Sequence, residues 1–251
     1  MIKSWEYKNE YNYLKKNILK TIDKVLKSGN LFFGNELKKF EKNFLKTNKS
    51  KYGVAVGSGT DAIYLSLKAL NIGKNDEVIT VANTAIPTVA AIINTGASVK
   101  FIDVGNDYLI DIDKIEKSIT KKTKAIIPVH LYGQSCEMDK ILKIGKKYNL
   151  KIIEDCAQAQ GATYKSKKVG TLGVTGCFSF YPTKILGSYG DGGFVTTNDK
   201  NLYLKIRRLR FYGMEQMNSR KWWNKKYFAV ENGTNSRLSE IQAAILNIKI
   251  K

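Results

Sequence analysis

The chain has 251 residues, enough for one sizeable core or a large domain with a small appendage. Its 43% hydrophobic and 25% charged residues are those of an ordinary soluble globular protein, and with no run of eighteen apolar residues a membrane-spanning helix is excluded. The 42 basic and 22 acidic side chains give a formal net charge of +20, but the lysines are spread along the chain on what read as solvent faces of helices, with no nucleic-acid-binding motif beside them, so no nucleic-acid partner is expected.

In chain order, residues 11–28 place Leu14, Ile18, Ile22, Val25 and Leu26 on one side, which predicts an amphipathic helix ended by Gly29. A second helix is expected from Asn35 to Leu45, burying Leu37, Phe40 and Phe44. The loop between them, Gly-Asn-Leu-Phe-Phe-Gly at 29–34, is too apolar for a solvated turn. It is expected to pack against another surface, such as a second subunit. A strand at Tyr52–Val56 then runs into Gly57-Ser-Gly-Thr60 and a helix carrying Ile63, Leu65, Leu67 and Leu70. Small residues at a helix start present amides and a positive dipole end to an anion, which suits phosphate binding. The same residues suit an ordinary strand-to-helix turn with Ser58 or Thr60 as N-cap.

The pattern repeats. Strands at Glu77–Val81, Ser98–Ile102, Ala125–Val129 and Lys151–Glu154 alternate with helices at Ile86–Asn94, Ile112–Ile119 and Glu137–Tyr148. A strand at Gly193–Thr197, a helix capped by Asp199 and running through Leu209, and a last helix from Leu238 to Ile250 complete the chain. Residues 212–235 read as irregular, with Trp222, Trp223 and Tyr227 among lysines. Such alternation predicts an α/β fold with a mostly parallel, buried sheet. Ligands bind at the carboxyl ends of the strands of such sheets, so Gly57, Asn83, His130 and Asp155 are expected along one edge. Asp155 ends a buried strand, where a carboxylate is costly unless paired. It suits the N-cap of a following helix or the partner of a buried cation. Gln158, three residues on, suits the same helix cap or the same ligand.

The stretch from Cys177 to Phe194 is organised around Lys184. Alternating apolar and small residues break at Pro182, which cannot donate to a sheet ladder. Glycines follow at 187, 190, 192 and 193, where backbone approaches a ligand closely. A lysine so placed can be partly desolvated and nucleophilic toward carbonyls, although taken alone, in a chain this rich in lysine, it reads as a surface lysine in a loop. Cys136, Cys156 and Cys177 show no metal spacing, so no metal site is expected. Free buried thiols in a reducing cytoplasm are the default, and the N-terminus lacks the apolar region of a secretory signal.

Six segments in this order, Gly57-Ser-Gly-Thr60, Pro128-Val-His-Leu-Tyr-Gly133, Glu154-Asp-Cys-Ala-Gln-Ala159, Phe178-Ser-Phe-Tyr-Pro-Thr-Lys184, Gly190-Asp-Gly-Gly193 and Asn235-Ser-Arg-Leu-Ser-Glu-Ile-Gln-Ala-Ala244, resemble the DegT/DnrJ/EryC1/StrS sugar aminotransferases over nearly the whole chain. The resemblance implies the aspartate-aminotransferase fold (fold type I), with residues 1–251 forming the large domain and its N-terminal helices. It implies pyridoxal 5′-phosphate as cofactor, bonded to Lys184, with Asp155 facing the pyridine nitrogen and Gln158 near the 3-oxygen. Ser179, Gly59 and Thr60 match its phosphate ligands. Asn235 matches a residue that reaches the phosphate in the neighbouring subunit, implying a homodimer with shared active sites. The implied substrates are glutamate and a nucleotide-linked keto sugar. Arg210-Phe-Tyr-Gly-Met214 and the Asn235 segment are similar to enzymes that aminate carbon 3 of dTDP-linked 3-keto-6-deoxyhexoses, with carbon-4 amination of dTDP- or UDP-sugars as the alternative. Lys184 argues against the dehydrase branch, where histidine replaces it. Two departures stand out. Ala85 occupies a position from which many members stack an aromatic ring on the cofactor. The family's C-terminal small domain is expected to be mostly absent, so a non-catalytic cofactor-binding remnant is a further alternative.

Overall fold

A computed structural model describes residues 5–214 and 228–250, so Trp222, Trp223 and Tyr227 lie outside the described residues. Two amphipathic helices open the fold, α1 (Lys8–Lys27) and α2 (Asn35–Asn48). Then β1 (Tyr52–Val56), α3 (Gly59–Ala69), β2 (Glu77–Val81), α4 (Ile86–Asn94), β3 (Ser98–Ile102), α5 (Ile112–Ser118), β4 (Thr123–Ile127), α6 (Met138–Lys147) and β5 (Lys151–Asp155) alternate as expected. A short hairpin, β6 (Thr163–Tyr164) and β7 (Lys167–Lys168), precedes β8 (Thr175–Ser179), β9 (Gly193–Thr197), α7 (Lys200–Leu209) and α8 (Glu240–Lys249).

Seven strands form one sheet in the order β1-β9-β8-β5-β4-β2-β3. All neighbours are parallel except β9, which runs antiparallel to both β1 and β8. This is the expected mostly parallel sheet with one reversed strand. The reversal has a local cause: an antiparallel neighbour needs no helical crossover, so β8 returns into β9 through the loop that carries Lys184. The carboxyl ends of β1, β2, β4, β5 and β8 therefore share one edge. Register places Asp155 opposite Cys177 and Ser179 opposite Gly193.

Helices cover both faces. One cluster packs Ile63, Leu67, Ile92 and Ile206 against Val54, Val78 and Ile153, while another packs Ile115, Met138 and Ile141 against Ile79, Ile126 and Ile152. A third joins α2 and α8 to the sheet through phenylalanines. Phe44 lies 4.6 Å from Phe194 and 5.1 Å from Phe178 between ring centroids, and Phe40 lies 5.2 Å from Phe180. Leu37, Phe40 and Phe44 are buried as the helical spacing predicts, whereas Leu26 of α1 is 54% exposed.

Helix α2 has glycine at its N-cap, which offers no side-chain acceptor. The acceptor comes from α8. The buried Glu240 carboxylate receives Gly34 N (2.8 Å), Glu36 N (2.9 Å) and Leu37 N (3.0 Å). The apolar 29–34 loop packs partly on its own chain. Phe33 stacks edge-on against Phe211 at 5.2 Å and Arg237 lies 4.5 Å over Phe32, yet Leu31 and Phe32 stay half exposed. Two expectations are corrected. No helix follows Asp155; the chain turns through Ala157 and Gln158 into β6. The last helix starts at Glu240 because Ser239 caps it, accepting from Gln242 N. No helix among the described residues is long and apolar enough to cross a membrane.

Candidate active site

The carboxyl edge of the sheet encloses a cavity of about 280 Å³. The β1–α3 turn contributes Ser58, Gly59 and Thr60, and the start of α4 contributes Thr84, Ala85, Pro87 and Thr88. Asp155 and Gln158 follow β5. Ser179 ends β8, and Tyr181, Lys184 and Asp191 come from the β8–β9 connection. Six of the seven predicted site residues, Gly59, Thr60, Asp155, Gln158, Ser179 and Lys184, thus line one cavity. Asn235 does not. It is exposed, on the segment held beside the start of α3 by Ser236. A larger groove of about 750 Å³, lined by Trp5, Tyr7, Tyr11 and Tyr189 among others, brings together no carboxylate and lysine of this kind.

One end of the cavity is an anion cradle. Ser58 caps α3 by accepting from Asp61 N at 3.0 Å, which leaves the Gly59 and Thr60 amides at the helix opening. A Cβ on Gly59 would sit 2.7 Å from Ser179 Cβ, so only glycine lets the helix start come this close to β8. Ser179 Oγ accepts from Tyr181 N, so its own proton is available to an anion. Ser236 Oγ accepts from Gly57 N and donates to Asp61 Oδ2 at 2.8 Å. Burial, more than any other influence, raises the Asp61 carboxyl above its ordinary range.

At the other end Asp155 is buried. Ala157 N donates to Oδ1 (3.1 Å) and Thr88 Oγ1 to Oδ2 (2.8 Å). Desolvation raises its carboxyl above the ordinary range; these two hydrogen bonds and the charge of Lys184 act against that rise. Lys184 follows a turn closed by its own N–H to Tyr181 O. That loop is pinned by Gln160, whose Nε2 donates to Ser179 O and whose Oε1 accepts from Leu186 N, both at 2.6 Å. Gln160, Thr88 and Ser236 were not singled out by sequence. The signal for Gln160 lay one residue past the Glu154–Ala159 motif.

Several readings need correction. The glycines after Lys184 serve the chain's own packing rather than ligand approach. A Cβ on Gly193 would lie 2.1 Å from Ser58 O, and those on Gly187, Gly190 and Gly192 would meet Pro182, Gln242 and Leu238. His130 and Asn83 follow β4 and β2 at the expected edge, but His130 is fully buried and Asn83 binds Tyr108 O, and neither is among the residues that line the cavity. His130 Nδ1 accepts from Cys136 N, which puts its proton on Nε2, donated to Glu154 Oε2 at 3.1 Å. Glu154 also receives Gly170, Leu172 and Gly173 N. Cys156 Sγ lies within 4.8 Å of these groups, but the donors already satisfy the carboxylate. Arg210 is buried too, donating to Glu41 Oε1 and Ala55 O away from the cavity. All three cysteines are free and buried.

These residues fit pyridoxal phosphate. The cradle offers amides and a hydroxyl to a phosphate, and the far wall offers a carboxylate to a ring nitrogen. Ala85, not an aromatic residue, lines the cavity alongside Thr84 and Pro87.

The comparisons agree. Residues 12–251 match the DegT/DnrJ/EryC1/StrS aminotransferase family. A dTDP-3-amino-3,6-dideoxy-alpha-D-galactopyranose transaminase from Aneurinibacillus thermoaerophilus is 48% identical, over 94% of this chain and 62% of that protein. Among solved structures, DesV from S. venezuelae superposes with a TM-score of 0.90 at 40% identity, covering 98% of this chain and 64% of that one. The Bacillus subtilis protein NtdA, solved with the bound cofactor PMP, gives 0.86 at 34% identity, covering 95% and 53%. The chain spans 62 to 64% of the length of the curated relatives it matches first, just under two thirds. With a mixed seven-stranded sheet of the same fold and a family match across nearly all its residues, the chain belongs to the DegT/DnrJ/EryC1/StrS aminotransferase family.

Proposed function

We propose that the chain binds pyridoxal 5′-phosphate and uses it to move an amino group from glutamate to carbon 3 of a dTDP-linked 3-keto-6-deoxyhexose. The observation that carries this reading is the convergence of Lys184, Asp155 and the Gly59–Thr60–Ser179 cradle on one cavity. The carbon-3 assignment is supported by relatives at 44 and 48% identity, both dTDP-3-amino-sugar transaminases.

When bound, the cofactor supplies an electron sink for carbanion chemistry. The chain's residues do the rest. The α3 amides and the Ser179 hydroxyl hold the phosphate at the cradle. Asp155 would favour a proton on the ring nitrogen through its negative charge, and Gln158, which lines the same cavity, would meet the ring oxygen. Lys184 would hold the group through its Nζ and give it up to an amino donor. The Lys184 amine, once free, would take the proton from the α-carbon of the amino donor and return it within the same cavity, and one water would supply the oxygen of the departing keto acid. The keto sugar then runs the same proton transfers in reverse. In this reading Asn235 reaches the phosphate bound by a second copy, which makes the working unit a homodimer with shared sites; its exposure beside α3 supports the reading.

The test is the visible absorbance of the protein with added pyridoxal phosphate, beside Lys184→Ala, followed by glutamate and then the keto sugar. A Lys184-dependent band that glutamate removes and the keto sugar restores is the expected result. No such band sinks the cofactor assignment. A band that glutamate leaves unchanged points to a cofactor-binding remnant and sinks the transaminase reading; a band that glutamate removes and the keto sugar does not restore sinks the sugar assignment alone.

A further inference from the structure

Thr88 is 1% exposed at the start of α4, and its Oγ1 donates to Asp155 Oδ2 at 2.8 Å. The same oxygen lies 2.8 Å from Thr84 Oγ1. An ionised carboxylate only accepts, so the single hydroxyl proton of Thr88 is committed to Asp155. The proton between the two threonines is then Thr84's. The chain of donors runs one way, from Thr84 to Thr88 to Asp155. Asp155's second oxygen is held by Ala157 N, from a different segment. Two donors from two segments fix the plane of the carboxylate.

The geometry assigns Thr88 as the residue that positions the Asp155 carboxylate toward the cavity, and Thr84 as the residue that orients Thr88. A consequence follows for the cavity. Because Thr84's proton is spent on Thr88, its hydroxyl presents lone pairs only, and a group bound against it must donate. The role toward a cofactor rests on the function proposed above; the relay itself does not.

The experiment therefore has two arms. The first uses the protein without cofactor and follows the Asp155 carboxyl by carbon-13 NMR titration, with Asp155→Asn to assign the signal. Thr88→Val is expected to move this titration upward, since a hydrogen bond to the charged form is lost, and Thr88→Ser to restore it. Thr84→Val is expected to move it the same way by less. Lys184 and His130, the titratable groups near Asp155, are unchanged throughout. An unmoved titration in Thr88→Val overturns the assignment; if that variant does not fold, an unmoved titration in Thr84→Val does so. The second arm titrates pyridoxal phosphate by absorbance. Thr88→Val is expected to bind it about tenfold more weakly, with recovery in Thr88→Ser. Wild-type affinity in Thr88→Val would overturn the positioning role toward the cofactor. A wild type that titrates as expected but binds no pyridoxal phosphate sinks the proposed function and leaves the relay standing.

Discussion

Glu154 and Asp155 are neighbours at the end of one strand, both buried, and the fold uses them in opposite ways. Strand alternation sends their side chains to opposite faces. Glu154 accepts from three backbone amides of the 170–173 loop and from His130, so its acceptor sites are filled by the chain. Asp155 accepts from two donors and keeps the remainder of its capacity for a cavity that also holds Lys184. A buried carboxylate saturated by its own chain is architecture. One left short of donors beside a cavity is available to a ligand.

Breaking the saturated side has the largest expected effect. Glu154→Ala strands three amides and the His130 N–H, and should cost about 3–5 kcal/mol of unfolding free energy in urea titrations. A loss under about 1 kcal/mol would contradict the hub role. Gln160→Ala comes next. It frees Ser179 O and Leu186 N, and should cost about 2 kcal/mol while weakening any Lys184-dependent absorbance more than Glu154→Gln does. Equal stability of Gln160→Ala and wild type would show that the lysine loop is held by other contacts.

Asp155→Asn should give the smallest stability change, with the opposite sign. Burial raises the folded pKa of Asp155 above its unfolded value, so the folded chain holds the extra proton between those two values. This group's contribution to stability is then present below the unfolded pKa and lost as pH rises through the folded pKa. Asparagine removes that loss. The variant should melt slightly above wild type at neutral pH, with the gap closing below the ordinary carboxylate range, while losing Lys184-dependent cofactor chemistry. A variant that melts lower than wild type at pH 7 would contradict the sign.

Strands were legible because each is a short apolar run bounded by turn residues; β1, β2, β3 and β9 fall at the expected bounds. That Lys184, Asp155 and the helix-start residues gather at one cavity was legible from the ordered segments that carry the family resemblance. The polar partners were not. Thr88 meets Asp155 across 67 residues, and Glu154 meets its amides 16 to 19 residues on, so no local pattern announces either. The turn after Asp155 was misread because an acidic residue before small residues resembles a helix N-cap. The glycines beyond Lys184 announced close approach correctly but not what approaches; at Gly193 it is Ser58 O.

The Glu240 cap carries a consequence for synthesis. Its acceptor meets amides made 203 to 206 residues earlier. At roughly 5–20 residues per second, translation leaves the start of α2 unfinished for about 10–40 seconds. For most of that interval Phe40 and Phe44 also lack the phenylalanines at 180 and 194 that they will pack on. The nascent chain emerges with its most aromatic helix uncovered, and a holdase that shields α2 until residue 240 clears the ribosome would raise the folded yield.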